Sequence, residues 1–313
     1  MPDIVVLPRK VHGLSPADYV AAIEDELPGA TVVLAETPSD RERLLPGARV
    51  VTGYDVSRAD RELAGEMELF ACIYAGTDHV DVAGLTADGV AVTNAAGVHA
   101  PNAAEQAVAS LLAFARGLDV GFDRSRRGVW QHYQSDELHG STVTVVGMGT
   151  IGTAVLERLA PFGVERVGVR HTPSKGGPAA EIHGYDALPE VLPETDHLVL
   201  ACPLTETTER LIDEAALERL PPDATIVNVA RGPIVDTDAL LSALRNNHVG
   251  AAALDVTDPE PLPHDHELWD MDRCLITPHN AGYTPRYWER RAAIIARNYE
   301  RLGTDAELEN RVR

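Results

Sequence analysis

The chain has 313 residues, 44% apolar and 24% charged, which suits two globular domains and excludes a disordered chain. Asp and Glu number 48 against 27 Lys and Arg, a formal net charge of −21, so no basic surface is offered to nucleic acid or to an anionic membrane. No apolar run approaches the length of a membrane span.

Lysine occurs only as Lys10 and Lys175. So much like charge strains a compact state by self-repulsion, and molar salt, with a Debye length of about 3 Å, removes most of that strain. The composition predicts a cytoplasmic protein of a high-salt cell; the other reading is an acidic enzyme of ordinary salt. Cys72, Cys202 and Cys274 are dispersed in or beside apolar runs. They read as buried thiols of a reducing compartment, with neither a disulfide framework nor a zinc pattern, and no metal is expected.

In chain order, the run at residues 4–7 lacks a basic start and a long apolar stretch, so it reads as a first strand and not a signal peptide. Further β-branched runs at 31–34, 49–52, 70–74 and 90–93 alternate with helix-like segments such as 15–27, where Ser15 is placed to cap. Alternation of this kind predicts a parallel sheet with helices on both faces. An Ala- and Leu-rich pattern at 101–117, opened by Pro101, predicts a long helix suited to bridging two domains. A second series follows, with strands at 142–146, 166–169, 198–201, 225–229, 251–256 and 274–277, and a last helix at about 285–302.

The strand ending at Val146 runs into Gly147-Met148-Gly149-Thr150-Ile151-Gly152 and then a helical pattern. A G-x-G-x-x-G between strand and helix is a dinucleotide fingerprint. Gly147 permits the turn, Gly149 the approach of the pyrophosphate, and Gly152 the packing of helix on strand. Thr150 and Ile151 open the helix whose N–H groups receive the phosphates. An NAD site places Asp or Glu at the end of the next strand. Here Arg170-His171-Thr172 stands there instead. A guanidinium suits a 2′-phosphate, so NADP(H) is expected in preference to NAD(H); the bland reading is that Arg170 points into solvent.

Three later segments place polar residues at strand ends: Asn228 to Gly232, Asp255 to Pro263, and Thr277 to Gly282. In an open parallel sheet, ligands bind beyond the carboxyl ends of the strands, so these segments would converge on one crevice. Singly, Glu260 could be a loop carboxylate, His279 a turn residue behind Pro278, and Arg231 an ion-pair partner. Their joint occurrence argues for chemistry.

At these residues the chain resembles the D-isomer-specific 2-hydroxyacid dehydrogenases, a family that includes glyoxylate/hydroxypyruvate reductases and phosphoglycerate dehydrogenase. The resemblance spans essentially the whole chain. It rests on Asn-x-x-Arg-Gly at 228–232, the Asp-Val and Glu-Pro-Leu-Pro elements within 255–263, and Thr-Pro-His-x-Ala-Gly at 277–282. It implies an α/β fold in which a doubly wound Rossmann domain, residues 101–284, is inserted into a smaller flavodoxin-like substrate domain, residues 1–100 and 285–313. It implies reversible hydride transfer between NADP(H) and a 2-keto acid/D-2-hydroxy acid pair. Arg231 would bind the substrate carboxylate and 2-oxygen. His279 would protonate the keto oxygen, and Glu260 would orient the imidazole and favour its charged form. Asp255 would meet the nicotinamide carboxamide, with Gly282 also on the cofactor. Ala75 and Gly76 resemble the glycine loop whose N–H groups contact the substrate carboxylate; an ordinary strand-to-helix turn is the alternative. His99 stands where many relatives carry Asn, and hinge, substrate contact and packed side chain all stay open. Trp130 resembles a tryptophan at a dimer interface in some relatives, and a homodimer is expected. The rival functions are a non-catalytic dinucleotide sensor of the same fold and a short phosphoglycerate dehydrogenase.

Overall fold

β-Branched runs become strands here because both sides of the sheet are covered and such side chains pack well on a pleated surface. The first five strands are β1 (Ile4–Val6), β2 (Val32–Leu34), β3 (Val50–Gly53), β4 (Leu69–Cys72) and β5 (Ala91–Thr93). In the computed structural model, which describes residues 2–312, they lie parallel in the order β5-β4-β3-β1-β2. One face packs on Tyr19 and Ile23 of the helix Pro16–Glu26 and on Tyr287 and Ile295 of the helix Tyr287–Arg301. The other face holds Leu45, Phe70 and Leu85. Ser15 caps the first helix in a reciprocal box: its hydroxyl accepts from Asp18 N at 3.1 Å and its N–H donates to Asp18 Oδ2 at 3.0 Å. Such a cap is worth about 1 kcal/mol. The two-residue strand Arg311–Val312, too short to leave a pattern in the sequence, adds antiparallel to β5.

These elements form one unit, residues 1–99 with 283–313; residues 100–282 form the other. The expected boundaries move slightly. Ala100 goes to the second unit because it opens the helix Ala100–Ala115, whose buried face packs on the second sheet. Tyr283 and Thr284 go to the first. Tyr283 stacks on His12 with ring centroids 4.2 Å apart, and Arg286 N donates to Thr284 Oγ1 in a turn that delays the last helix to Tyr287.

The second unit holds β6 (Thr142–Val146), β7 (Glu165–Val169), β8 (Glu181–His183), β9 (His197–Leu200), β10 (Thr225–Asn228), β11 (Ala251–Leu254) and β12 (Cys274–Ile276). All are parallel, in the order β12-β11-β10-β9-β6-β7-β8. From β6 the chain winds outward to β8, then returns to β9 and winds the other way. The order therefore reverses beside the carboxyl end of β6, where doubly wound sheets bind ligands. β8 is an edge strand of sequence Glu-Ile-His, too short and polar to be read from patterning. The helix Leu118–Arg126, with no buried residue, also escapes it. β11 is Ala251-Ala252-Ala253-Leu254, poor strand formers by propensity. Ala251 and Ala253 face a core that also holds Ala103, Ala104 and Ala107 of the long helix. Small side chains on both partners let that helix lie close to the sheet, which offsets the weak propensity.

Burial pushes the Cys202 thiol up to about 11 and Cys274 up to about 12, so both stay neutral at ordinary pH. Arg291 puts a charge inside the first unit, where Thr52, Thr93 and Asn298 are also buried. It is fully buried, and none of its three side-chain nitrogens has a hydrogen-bond partner among the described residues. The Tyr19 hydroxyl, bonded to Thr52 Oγ1 at 3.0 Å, leans toward the guanidinium and, with the Tyr287 hydroxyl and the Glu309 carboxylate, feels its charge, which offsets only part of the cost of burial. A guanidinium cannot shed its proton to escape burial, so the charge destabilises the fold. Arg291→Met should therefore raise the unfolding free energy by about 1–3 kcal/mol. Urea denaturation measures this, and a lower midpoint in the variant would show that the charge is compensated.

Candidate active site

The fingerprint loop is shaped by backbone proximity. Gly147 has φ +97°, and a Cβ there would stand 2.3 Å from Cys202 N; at Gly152 it would stand 1.9 Å from Gly147 O. Both positions are closed to any side chain. At Gly149 nothing lies within 4 Å of the Cβ position, so the space before the helix Thr150–Leu159 is open. Gly149 is the N-cap of that helix and offers no side-chain acceptor. The first N–H groups of the helix, starting with Thr150 and Ile151, therefore receive no side-chain cap. A cradle with these free donors fits the phosphates of a dinucleotide.

At the end of β7, Arg170 is partly buried and donates from Nη1 to Gly176 O at 2.6 Å, which aims the guanidinium into the 173–177 loop. His171 is exposed, its Nδ1 3.2 Å from Thr172 Oγ1. Residues 170–180 include no carboxylate, and Lys175 adds a second cation.

The catalytic candidates follow β10, β11 and β12. After β10, Asn228 holds its own loop: Oδ1 accepts from Ala230 N at 3.0 Å and Nδ2 donates to Arg231 O at 3.0 Å. Arg231 is exposed. A Cβ on Gly232 would stand 2.0 Å from Thr257 O, so the Arg231 loop lies directly against the segment that leads to Glu260. After β12, His279 takes the left-handed φ of +51°, unusual for a residue with a side chain. Its Nδ1 lies 2.6 Å from Glu260 Oε1, with the two side chains 48% and 42% exposed. An ionised carboxylate accepts from an imidazole N–H, so Nδ1 carries the proton in this pair and Nε2 is left for a ligand.

Asp255, at the carboxyl end of β11, is 4% exposed. Its Oδ1 accepts from Thr277 Oγ1 at 2.6 Å and Asn280 N at 2.8 Å; its Oδ2 accepts from Ala281 N at 2.9 Å. Asn102 Nδ2 donates to Ala281 O at 2.6 Å. The sequence assigns Asp255 a cofactor contact but gives no role of its own to Thr277, which opens the Thr-Pro-His-x-Ala-Gly segment, or to Asn102, since an Asn in a first helical turn carries no signal. Gly282 closes this segment and ends the second unit.

Ala75 and Gly76 belong to the first unit, in the exposed loop after β4, where Asn94 Nδ2 donates to Ala75 O at 2.7 Å. Beside that loop, His79 stacks on Tyr54 at 3.8 Å between centroids, and Arg9 lies over the Tyr54 ring, 4.8 Å from its centroid. His99 packs near His12 and Tyr287. Tyr287 and Trp288, at the start of the last helix, are buried in the first core. Trp130 is 98% exposed. No group of three or more His, Cys, Asp or Glu among the described residues is placed to hold a metal, and no described helix is long and apolar enough to cross a membrane.

Comparison with known proteins agrees with this geometry. The model of the D-isomer specific 2-hydroxyacid dehydrogenase NAD-binding domain matches residues 108–281. The chain is 34% identical over 273 residues to a glyoxylate reductase of Pyrococcus furiosus, covering 82% of this chain and 81% of that one. It is 32% identical over 238 residues to the human glyoxylate reductase/hydroxypyruvate reductase, covering 74% and 73%. A crystal structure of a D-isomer specific 2-hydroxyacid dehydrogenase from Xanthobacter autotrophicus Py2, in complex with NADPH and MES, superposes with a TM-score of 0.80 at 28% identity, covering 100% and 98%. These relatives, with the doubly wound domain and its glycine-rich strand-to-helix loop, mark an NAD(P)-dependent oxidoreductase. The chain belongs to the D-isomer specific 2-hydroxyacid dehydrogenase family.

Proposed function

We propose that the protein reduces a small 2-keto acid to the D-2-hydroxy acid with NADPH as preferred donor, the reaction being reversible. The observation that carries this reading is the His279–Glu260 pair at 2.6 Å, which joins the loop after β12 to the loop after β11, the latter lying against the Arg231 loop at Thr257. Arg231 binds the substrate carboxylate and draws on the 2-oxygen; a planar, permanently charged fork suits both. His279 donates its Nε2 proton to the keto oxygen, and Glu260, bonded at Nδ1, holds the ring in place for the transfer. The nicotinamide, when bound, supplies the hydride. Asp255 and Gly282 are assigned to the cofactor side, and the N–H groups of Ala75 and Gly76 to the substrate carboxylate. Arg170, with His171 and Thr172, binds the 2′-phosphate.

The acidic composition supports work in molar salt. A homodimer is supported by the 118–133 segment, which exposes Leu118, Phe122, Val129 and Trp130 and carries Arg124, Arg126 and Arg127 in a chain of net charge −21. An apolar patch rimmed by Arg suits a second copy of an acidic chain.

Steady-state kinetics in molar KCl with glyoxylate, hydroxypyruvate and bulkier 2-keto acids should show higher kcat/KM with NADPH than NADH. Arg170→Ala should lose about tenfold of that preference, as expected for one charged hydrogen bond. Preference for NADH would contradict the phosphate assignment, and NADPH binding without turnover would make the protein a sensor. Light scattering should give twice the 33.7 kDa chain mass, with Phe122→Glu/Trp130→Glu shifting it to one chain. A dimer unaffected by that pair of changes would place the interface elsewhere.

A further inference from the structure

Most of the hydrogen bonds that the turn carrying His279 donates go to a single residue, Asp255. Thr277 N still belongs to the sheet, donating to Leu254 O at 3.0 Å. Pro278 has no N–H. The next donors are Thr277 Oγ1, His279 N, Asn280 N and Ala281 N. The first, third and fourth reach the Asp255 carboxylate, and His279 N reaches the Asp255 backbone carbonyl at 2.8 Å. All four reach one buried residue, and His279 N is shared with Thr277 O at 2.9 Å inside the turn. The left-handed backbone of His279 is one that side-chain-bearing residues adopt only where the surroundings impose it. What imposes it here is this set of bonds. Three of the four donors are backbone groups that only a change to proline removes. Thr277 supplies the one side-chain donor, at the shortest of these distances.

We propose that Thr277, through Asp255, is a positioning residue for the proton-donating histidine: its hydroxyl completes the clamp that sets the His279 backbone and keeps the imidazole on Glu260. The inference rests on the dehydrogenase reading given above, and it assigns Asp255 a task apart from any contact with cofactor. Without the hydroxyl, Oδ1 keeps only Asn280 N as donor, and a carboxylate that is 4% exposed gains no water in exchange. The turn then relaxes toward ordinary backbone angles and carries the ring off Glu260.

The test compares Thr277→Val, which keeps the shape and loses the hydroxyl, with Thr277→Ser, which keeps the hydroxyl. In the full chain, Thr277→Val should lower kcat about 10- to 100-fold, the cost of a displacement on the order of 1 Å at a reacting group. KM for the keto acid should stay within about threefold and the Kd for NADPH, from fluorescence titration, within about twofold, while Thr277→Ser restores kcat to within about threefold. A downfield imidazole N–H proton signal from the His279–Glu260 bond should appear in wild type and Thr277→Ser and vanish in Thr277→Val. That signal decides the clamp even if no 2-keto acid is turned over, an outcome that would refute the catalytic reading alone. Retention of the signal in Thr277→Val overturns the proposal. So does an unchanged kcat, or a fall in kcat matched by an equal loss of NADPH binding.

Discussion

A carboxylate taken out of water must be met by donors, and Asp255 meets its requirement with the loop after β12. β11 and β12 run parallel, with Leu254 paired to Ile276, so Asp255 and Thr277 leave the sheet side by side. Parallel strands bring every βα loop to one end, and this pair shows the consequence at the level of single bonds. The His279 loop is tied to the end of β11, while Gly232 brings the Arg231 loop up against Thr257, two residues past Asp255. Three segments far apart in sequence are thereby fixed to one another within the second unit.

The same economy of space governs the dinucleotide loop. Gly147 turns where the Cys202 backbone passes at a distance no side chain could share, and Gly152 sits on the Gly147 carbonyl. Ala251 and Ala253 repeat the theme across the sheet, against Ala103, Ala104 and Ala107. Close approach rather than large apolar side chains sets the layer spacing around the glycine loop. Packing of this density leaves little room for local rearrangement.

Much of this was legible in the sequence, and the limits have physical causes. The alternation of β-branched runs and helical patterns gives the parallel strands, since a strand covered on both faces must be apolar throughout. The fingerprint and the Arg, Glu and His segments could be read because each motif is contiguous. β8 and Arg311–Val312 were missed, being two or three residues long and sited at sheet edges where hydrogen bonds to a neighbour, not patterning, define a strand. Helix Leu118–Arg126 was missed because it buries no face. Aromatic residues suit pocket and core alike, so sequence alone does not place Tyr287 and Trp288; both are buried, and Trp288 stacks on Tyr19 with centroids 4.1 Å apart. The bonds of Asp255 were invisible for another reason. Its partners lie over 20 residues away, and two of the three are backbone N–H groups that leave no trace in side-chain identity.

The central claim is that His279, held by Glu260, gives the proton that accompanies hydride transfer. The most direct measurement is the turnover rate of His279→Ala, set beside its Kd for NADPH, with glyoxylate and hydroxypyruvate in molar salt. A fall in kcat of about 10²- to 10⁴-fold, with NADPH bound as in wild type, is the result expected of a lost general acid. A variant that keeps kcat within about threefold of wild type would contradict the account, because no general acid can be dispensed with so cheaply.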